Sequence, residues 1–537
     1  MFQYIALLCT ILACVNAEIT LQDITSKPAS RTKDFMIWQY FKQDITPAQA
    51  DKAFYEINNV DNKLFRMYAE KCDREEIKYT VSCMNEKNLL SIVDEDCLEL
   101  AMSPYKTVHL TNEQRKKLSK SLKSKHFQEL LSIQSEPYTQ KAYEKYDANT
   151  ILSLFVQTTA SHRRNHLNID LDKKFMQKLT SNWKIGSFIE LVVNDDTLDK
   201  LQNALSYLDG KELSAQSNFI LALHHLQHSN KTRAMEHLEL TRLKSTYRID
   251  VDKSYFWMYK ISNNKDYLNE LLLSMDINIY TLYAHEVLDK DVDNYFSSVE
   301  TVVERAEKNL QDPFQWNEIL KEIRETPKKK LFDLASSYKN DTMKPVQAFI
   351  IEKAYNYKIH SYIMPYNKYL KDISIDAKAL VYAIMKQESH LIPSALSRSY
   401  ALGLMQLMPF LVDAMSKKEK NAVQSYEEMF IPQNNLNYAK KHLEWIQKSL
   451  YHPLFIAYAY NGGMGFTRRY LESEKFTDAP YEPFLSMELM KNSESREYGK
   501  KVLANYVMYK KILGEEVSIV HLFDILTQPK KTDRFRG

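Results

Sequence analysis

One carboxylate stands out by its setting. In the run Asp376-Ala377-Lys378-Ala379-Leu380-Val381-Tyr382-Ala383-Ile384-Met385-Lys386-Gln387-Glu388-Ser389-His390, Leu380 and Ile384 recur at helical spacing, which places Glu388 on their apolar stripe rather than on the solvated face. A carboxylate there loses hydration, which favours its neutral form and raises its pKa. Such a group holds its proton near neutral pH and can deliver it to a leaving oxygen, the requirement for acid-catalysed glycosidic cleavage. Spacing by itself also fits a helix-terminal glutamate turned out to water.

The residues downstream are unusual for this chain. Four of its nine glycines, Gly403, Gly462, Gly463 and Gly465, fall within one stretch. In so glycine-poor a sequence, clustering marks backbone that turns sharply or approaches a ligand closely. Three short segments follow Glu388-Ser389: Ser397 with Ala401-Leu402-Gly403-Leu404-Met405-Gln406-Leu407-Met408-Pro409, then Ala459-Tyr460-Asn461-Gly462-Gly463, then Glu494-Ser495-Arg496. A different chemistry is suggested by His224 and His228, four apart as two zinc ligands on one helical face would be. No glutamate follows His224 and no third ligand is near, so inter-helix packing is the expected role, and neither metal nor other cofactor is expected.

The elements that must position these residues are helices. From Pro137 to Pro313 there is no intervening proline, and only Gly186 and Gly210 interrupt the run. Strand-and-turn architectures need far more punctuation. Thr46-Pro47-Ala48-Gln49 and Thr111-Asn112-Glu113-Gln114 each place a capping hydroxyl three residues before a glutamine. Phe219 to Leu243 reads as a helical hairpin around Ser229-Asn230-Lys231. Successive hairpins cannot bury their apolar stripes alone and stack into a solenoid. The predicted fold class is therefore all-α, with a helical-repeat superhelix over 18–290, a small helical linker domain over 291–360, a further domain over 361–525 carrying the glycine cluster, and a basic tail over 526–537 that is expected to be disordered.

Composition bounds the setting. With 72 basic against 69 acidic residues, the chain lacks the basic excess of a non-specific nucleic-acid binder, so no nucleic-acid partner is expected. Residues 1–17 read as a signal peptide, an apolar run from Ile5 to Val15 followed by Val15-Asn16-Ala17, too short to remain as a transmembrane helix. Cleavage after Ala17 predicts a periplasmic protein. The alternative, an outer-membrane lipoprotein acylated at Cys14, is disfavoured by Leu12. An oxidising compartment permits one disulfide among Cys72, Cys83 and Cys97, and spacing leaves all three pairings open.

The ordered segments resemble the soluble lytic murein transglycosylases. Their pattern is a helix ending in Glu-Ser, a Gly-Leu-Met-Gln-hydrophobic-Met-Pro segment, an Ala-Tyr-Asn-Ala-Gly loop and a Glu-Thr-Arg helix. Asp276-Ile277-Asn278-Ile279-Tyr280 is similar to part of the family's superhelical domain, and Pro365-Tyr366 to its linker. The resemblance implies a goose-lysozyme-like catalytic domain following the superhelix, acting on peptidoglycan glycan strands, with other cell-wall enzymes as further partners. It makes Glu388 the acid that protonates the oxygen between N-acetylmuramic acid and N-acetylglucosamine, and then the base that leads the C6 hydroxyl to close a 1,6-anhydro ring. Ser397, Gln406, Met408, Tyr460, Asn461 and Glu494 become glycan-binding residues. Three positions depart from the pattern: Tyr400 stands for a common glycine, Gly462 for alanine and Met464 for proline. A positive φ at Tyr400 would strain it, and the other two changes are expected to loosen the tyrosine loop.

Two rival functions follow from the same residues. A hydrolytic muramidase would keep Glu388 and place a water with a second carboxylate, for which Asp413 is the candidate. A non-catalytic scaffold would only grip glycan.

Overall fold

Thr46 and Thr111 open helices as their sequences predict. Each threonine oxygen accepts from the backbone of the glutamine three residues on, and that glutamine's side chain returns to the threonine amide. The structure is a computed structural model that describes residues 18–302, 307–419 and 422–536. The signal-peptide reading and Cys14 lie outside these residues. Among the described residues the only strands are Tyr295–Phe296 and His360–Ser361, paired in parallel. The architecture is all-α, and no described helix is long and apolar enough to cross a membrane.

The chain forms two compact units, each built from separated segments. The first combines the described parts of Met1–Asp73, Tyr295–Lys448 and Met508–Glu515. In it, helices Pro313–Glu325, Leu331–Ser337 and Lys344–Ala354 enclose Trp316, Ile319, Ile323, Val346 and Ile350, a core that also takes in Ile392, just beyond the Glu388 helix. Lys386 pairs with buried Glu352 at 3.1 Å and donates to the Ser361 carbonyl at 2.6 Å, tying that helix to helix Lys344–Ala354.

The second unit combines Arg74–Asn294, Ser449–Val507 and the described part of Glu516–Gly537. The expected hairpin is helices Ala215–Gln227 and Lys231–Lys244, with Ser229 at φ 59° in the turn. Helices Arg248–Ser262, Asp266–Leu272 and Ile279–Val287 follow, each packed on its predecessor, as stacking of amphipathic hairpins requires. The His224 and His228 rings pack edge to face, 4.4 Å between centroids, and among the described residues no group of three or more His, Cys, Asp or Glu is placed to hold a metal ion. Cys83 bonds to Cys97, whose Cα atoms lie 5.1 Å apart on adjacent helices, and Cys72 stays buried and reduced. Tertiary proximity decides the pairing that spacing left open.

A buried ionic cluster ties the helical array to the C-terminal segments of the same unit. Tyr280 donates to Glu488, whose other oxygen pairs with Lys500 at 2.9 Å, and Lys500 also meets Glu497 at 3.0 Å. Arg496 reaches Glu190 at 3.2 Å. Burial by itself would lower the Lys500 pKa, but Glu488 and Glu497 outweigh it and the ammonium is held above its ordinary range.

The C-terminal tail differs from the disorder expected of it. Arg536 pairs with buried Asp533 at 2.8 Å and donates to the carbonyls of Phe476 and Leu526. The basic composition misled because, although Lys530, Lys531 and Arg534 are exposed, Arg536 turns inward to two carbonyls and a carboxylate.

Candidate active site

Glu388 lies in the last turn of helix Ile375–Ser389, which Ser374 opens by accepting from the Ala377 amide. The spacing predicted one apolar stripe, yet every side chain from Ala379 to Met385 is buried. The helix is hydrophobic all round there and threads the interior of its unit. Each large side chain so buried contributes about 1.5–3 kcal/mol, which fixes the helix firmly. Glu388 is half-buried where that burial ends, and His390 terminates the helix at φ 49°.

The serine that follows ties Glu388 to the next motif. The Ser389 hydroxyl lies 2.8 Å from the Leu404 carbonyl and 3.0 Å from that of Met385, so the Gly-Leu-Met-Gln loop is locked to the helix end. Asn435 completes the lock. It is fully buried, its Nδ2 donates to the carbonyls of Leu402 and Met429 at 2.9 Å each, and its Oδ1 accepts from the Met405 amide at 2.9 Å. Gly403 is required by this packing: at φ 72° a Cβ would stand 2.4 Å from both Asn435 Nδ2 and the Met429 carbonyl. Sequence reasoning missed Asn435, which sits in helix Pro432–Gln447 in no motif recognised there.

The loop residues divide their roles. Ser397 Oγ accepts from the Ala401 amide at 2.9 Å, which leaves its own proton to donate. Gln406, at φ 47°, spends its amide protons on the carbonyls of Ala395 and Gly403, so what it can offer a sugar is its carbonyl oxygen. Met408 is half-buried and precedes helix Pro409–Ser416.

Tyr460, Asn461 and Glu494 belong to the second unit. The sequence suggested a loop around Tyr460, whereas Tyr460 and Asn461 form the last turn of helix Pro453–Gly462. The bend falls afterwards, at Gly463 with φ 85°. Tyr460 is half-buried. Asn461 donates to Glu494 Oε1 at 3.2 Å and accepts from the Ser495 hydroxyl at 2.7 Å, so the third and fourth motifs meet side chain to side chain. Glu494 itself is exposed in the first turn of helix Ser493–Ile512.

Residues 366–481 match the Transglycosylase SLT domain. The SLT domain thus spans the Glu388 helix, the Gly-Leu-Met-Gln loop and the Tyr460 turn. The chain is 29% identical over 204 residues to a Haemophilus influenzae protein named as a soluble lytic murein transglycosylase, a match covering 37% of this chain and 33% of that protein. It is 34% identical over 108 residues to membrane-bound lytic murein transglycosylase C of Photorhabdus laumondii, covering 18% of this chain and 30% of that one. The chain therefore spans about a third of the length of these curated relatives. The fold is similar to that of the 70 kDa soluble lytic transglycosylase of Escherichia coli, with TM-score 0.50 and 15% identity, over 96% of this chain and 85% of that one. An inactive variant of lytic transglycosylase Slt from Pseudomonas aeruginosa gives TM-score 0.50 at 13% identity, over 93% and 89% of the two chains.

The SLT domain's three departures now have physical accounts. Tyr400 does adopt φ 67°, and its ring is buried against Phe35 and Trp38, with centroids 5.3 and 5.5 Å away. A left-handed bulky residue costs about 1–3 kcal/mol, an amount that burying an aromatic ring offsets. Gly462 is the last residue of helix Pro453–Gly462, and a Cβ there would lie 2.5 Å from Ser495 Oγ and 2.8 Å from Phe466 Cδ1, so packing leaves little room for the family's alanine. Met464 is the first residue of helix Met464–Leu471, a position where proline and other residues are both accommodated. Asp413 is exposed on its helix, and both its carboxylate oxygens lie 2.8 Å from the Tyr426 hydroxyl. Burial, then Asp413 itself, push the Tyr426 phenol well above its ordinary range, so the proton stays on tyrosine and Asp413 is the acceptor.

Proposed function

We propose that this protein is a peptidoglycan lytic transglycosylase in which Glu388 is the single catalytic acid and base. The observation that carries the reading is the Ser389–Leu404 lock, which joins a half-buried glutamate at a helix end to the loop bearing Ser397 and Gln406, within a segment matching the SLT domain. Glu388 protonates the glycosidic oxygen between N-acetylmuramic acid and N-acetylglucosamine. It then takes the proton of the muramic acid C6 hydroxyl as that oxygen closes the 1,6-anhydro ring. Ser397 donates to the glycan, Gln406 accepts from it, Met408 gives an apolar wall, and Tyr460, Asn461 and Glu494 also bind the glycan.

Asp413, the candidate water-holding carboxylate of a hydrolase, accepts from the Tyr426 hydroxyl and is exposed on its helix, and the released products discriminate hydrolysis from cyclisation. We further propose that the protein is exported to the periplasm by residues 1–17, and that the helical array over 18–290, joined by the linker over 291–360 to the catalytic domain over 361–525, holds the glycan strand. The test is Glu388→Gln on purified sacculi, with released muropeptides read by mass spectrometry. The wild type should release 1,6-anhydro ends, and the variant should bind sacculi normally while cleaving about 100- to 10,000-fold more slowly. Reducing ends would assign a hydrolase, and an undiminished rate in the variant would refute the assignment of Glu388.

A further inference from the structure

We propose that helix Arg31–Tyr40 is a clamp on the loop 397–406, with Trp38 the positioning residue that holds Tyr400 in its left-handed conformation. The inference deepens the reading above and rests on it in assigning that loop to the glycan. Three residues of the loop have positive φ: Tyr400, Gly403 and Gln406. Gly403 meets the requirement by lacking a side chain. Tyr400 meets it by what its side chain touches.

That contact comes from the far end of the sequence. Phe35 and Trp38 stack on each other, 5.6 Å between centroids and 16° between planes, and together receive the Tyr400 ring. The Lys63 ammonium sits 4.3 Å from the Trp38 centroid and 4.4 Å from that of Tyr400, bridging the two ring faces, and Lys42 caps Trp38 at 3.5 Å. Arg31 donates to the Leu396 carbonyl, 365 residues away in sequence, at 3.3 Å. The clamp is itself braced: buried Asp34 accepts from the amides of Asn58 and Asn59 at 2.7 and 3.2 Å, and Lys33 pairs with Glu56.

The φ of Tyr400 controls the loop's polar groups directly. The Tyr400 amide donates to the Ser397 carbonyl at 3.1 Å, and the next amide, Ala401, donates to Ser397 Oγ at 2.9 Å. Rotation of Tyr400 to negative φ swings the Ala401 amide away and frees the Ser397 hydroxyl to turn. A glycine at this position would make the loop self-sufficient. With tyrosine, loop geometry depends on the N-terminal helix.

The dependence is testable by a double-mutant cycle on the full chain, reading hydrogen exchange in peptides covering 397–407 and steady-state cleavage of soluble glycan. Trp38→Ala should speed exchange of the Ala401 and Leu402 amides at least about tenfold, spare the 375–389 helix, and raise KM more than it lowers kcat. Trp38→Phe, which keeps a ring, should retain most of the protection. In Trp38→Ala with Tyr400→Gly, exchange and KM should return to those of Tyr400→Gly alone, because glycine no longer needs the clamp. Unchanged exchange in Trp38→Ala, or a double variant no better than the single, overturns the proposal. Should Trp38→Ala not fold, Lys63→Gln removes only the exposed cation and should speed exchange in the same peptides by a smaller factor, with unchanged exchange again overturning it. A wild type that releases no anhydro-muropeptides refutes the proposed function while leaving the exchange test of the clamp intact.

Discussion

Gly462 shows how little room surrounds the third motif. Its helical backbone would accept alanine with a propensity gain of about 1 kcal/mol, but the added methyl meets Ser495 Oγ at 2.5 Å. That hydroxyl is the one donating to Asn461. We therefore expect Gly462→Ala to lower stability by about 1–3 kcal/mol despite the propensity gain and to raise KM several-fold as Asn461 loses its partner. Thermal unfolding and glycan kinetics read both effects, and a stabilised variant would contradict the steric account. At this scale the sequence was legible where helical spacing decides the setting: Glu388 was expected off the solvated face and is half-buried. Asn435 was not legible, because a lone asparagine in a helix has no pattern until Leu402, Met405 and Met429 converge on it.

Helices of the second unit are held together by buried charge as well as by apolar contact. Tyr280 and Glu190 reach from the helical array to Glu488 and Arg496, the latter in helix Ser493–Ile512 near Glu494. Breaking a buried pair leaves an uncompensated ion and costs about 3–5 kcal/mol. Lys500→Met should accordingly destabilise by that amount, and Lys500→Met with Glu488→Leu should be markedly less damaging than the single change. Chemical denaturation of the three proteins decides it; equal losses in single and double variants would show that the pair is not the source. The sequence announced these helices through caps and periodicity, with Thr46 and Thr111 opening helices as read. It gave no sign of which charged residues would leave water, because a glutamate and a lysine three apart carry the same local pattern on a buried helix face as on a solvated one.

Over the whole chain, burial of neutral imidazoles sets the acid limit. Burial lowers His224 and His452 to about 3, and His225 and His237 to about 4. Their unfolded values lie near 6.5. The unfolded chain then binds more protons than the folded one below that pH, so stability is fully present above about 6.5 and is lost as pH falls toward about 4. Glu497, depressed to about 2 despite burial by Lys500 and its other cationic neighbours, adds a loss only below about 4.5. The melting temperature should fall by at least about 5 °C between pH 7 and pH 4.5, and a melting temperature that rises over that interval would exclude the histidines as the cause. The sequence by itself determined the all-α class, the stacked hairpins and the catalytic candidates, because periodicity, capping and residue chemistry are local properties. Tertiary structure decided the Cys83–Cys97 pairing, the docking of the tail, the need for glycine at 462 and the seat of Tyr400 against Trp38. Each depends on atoms brought together from distant parts of the chain, and only packing puts them within reach.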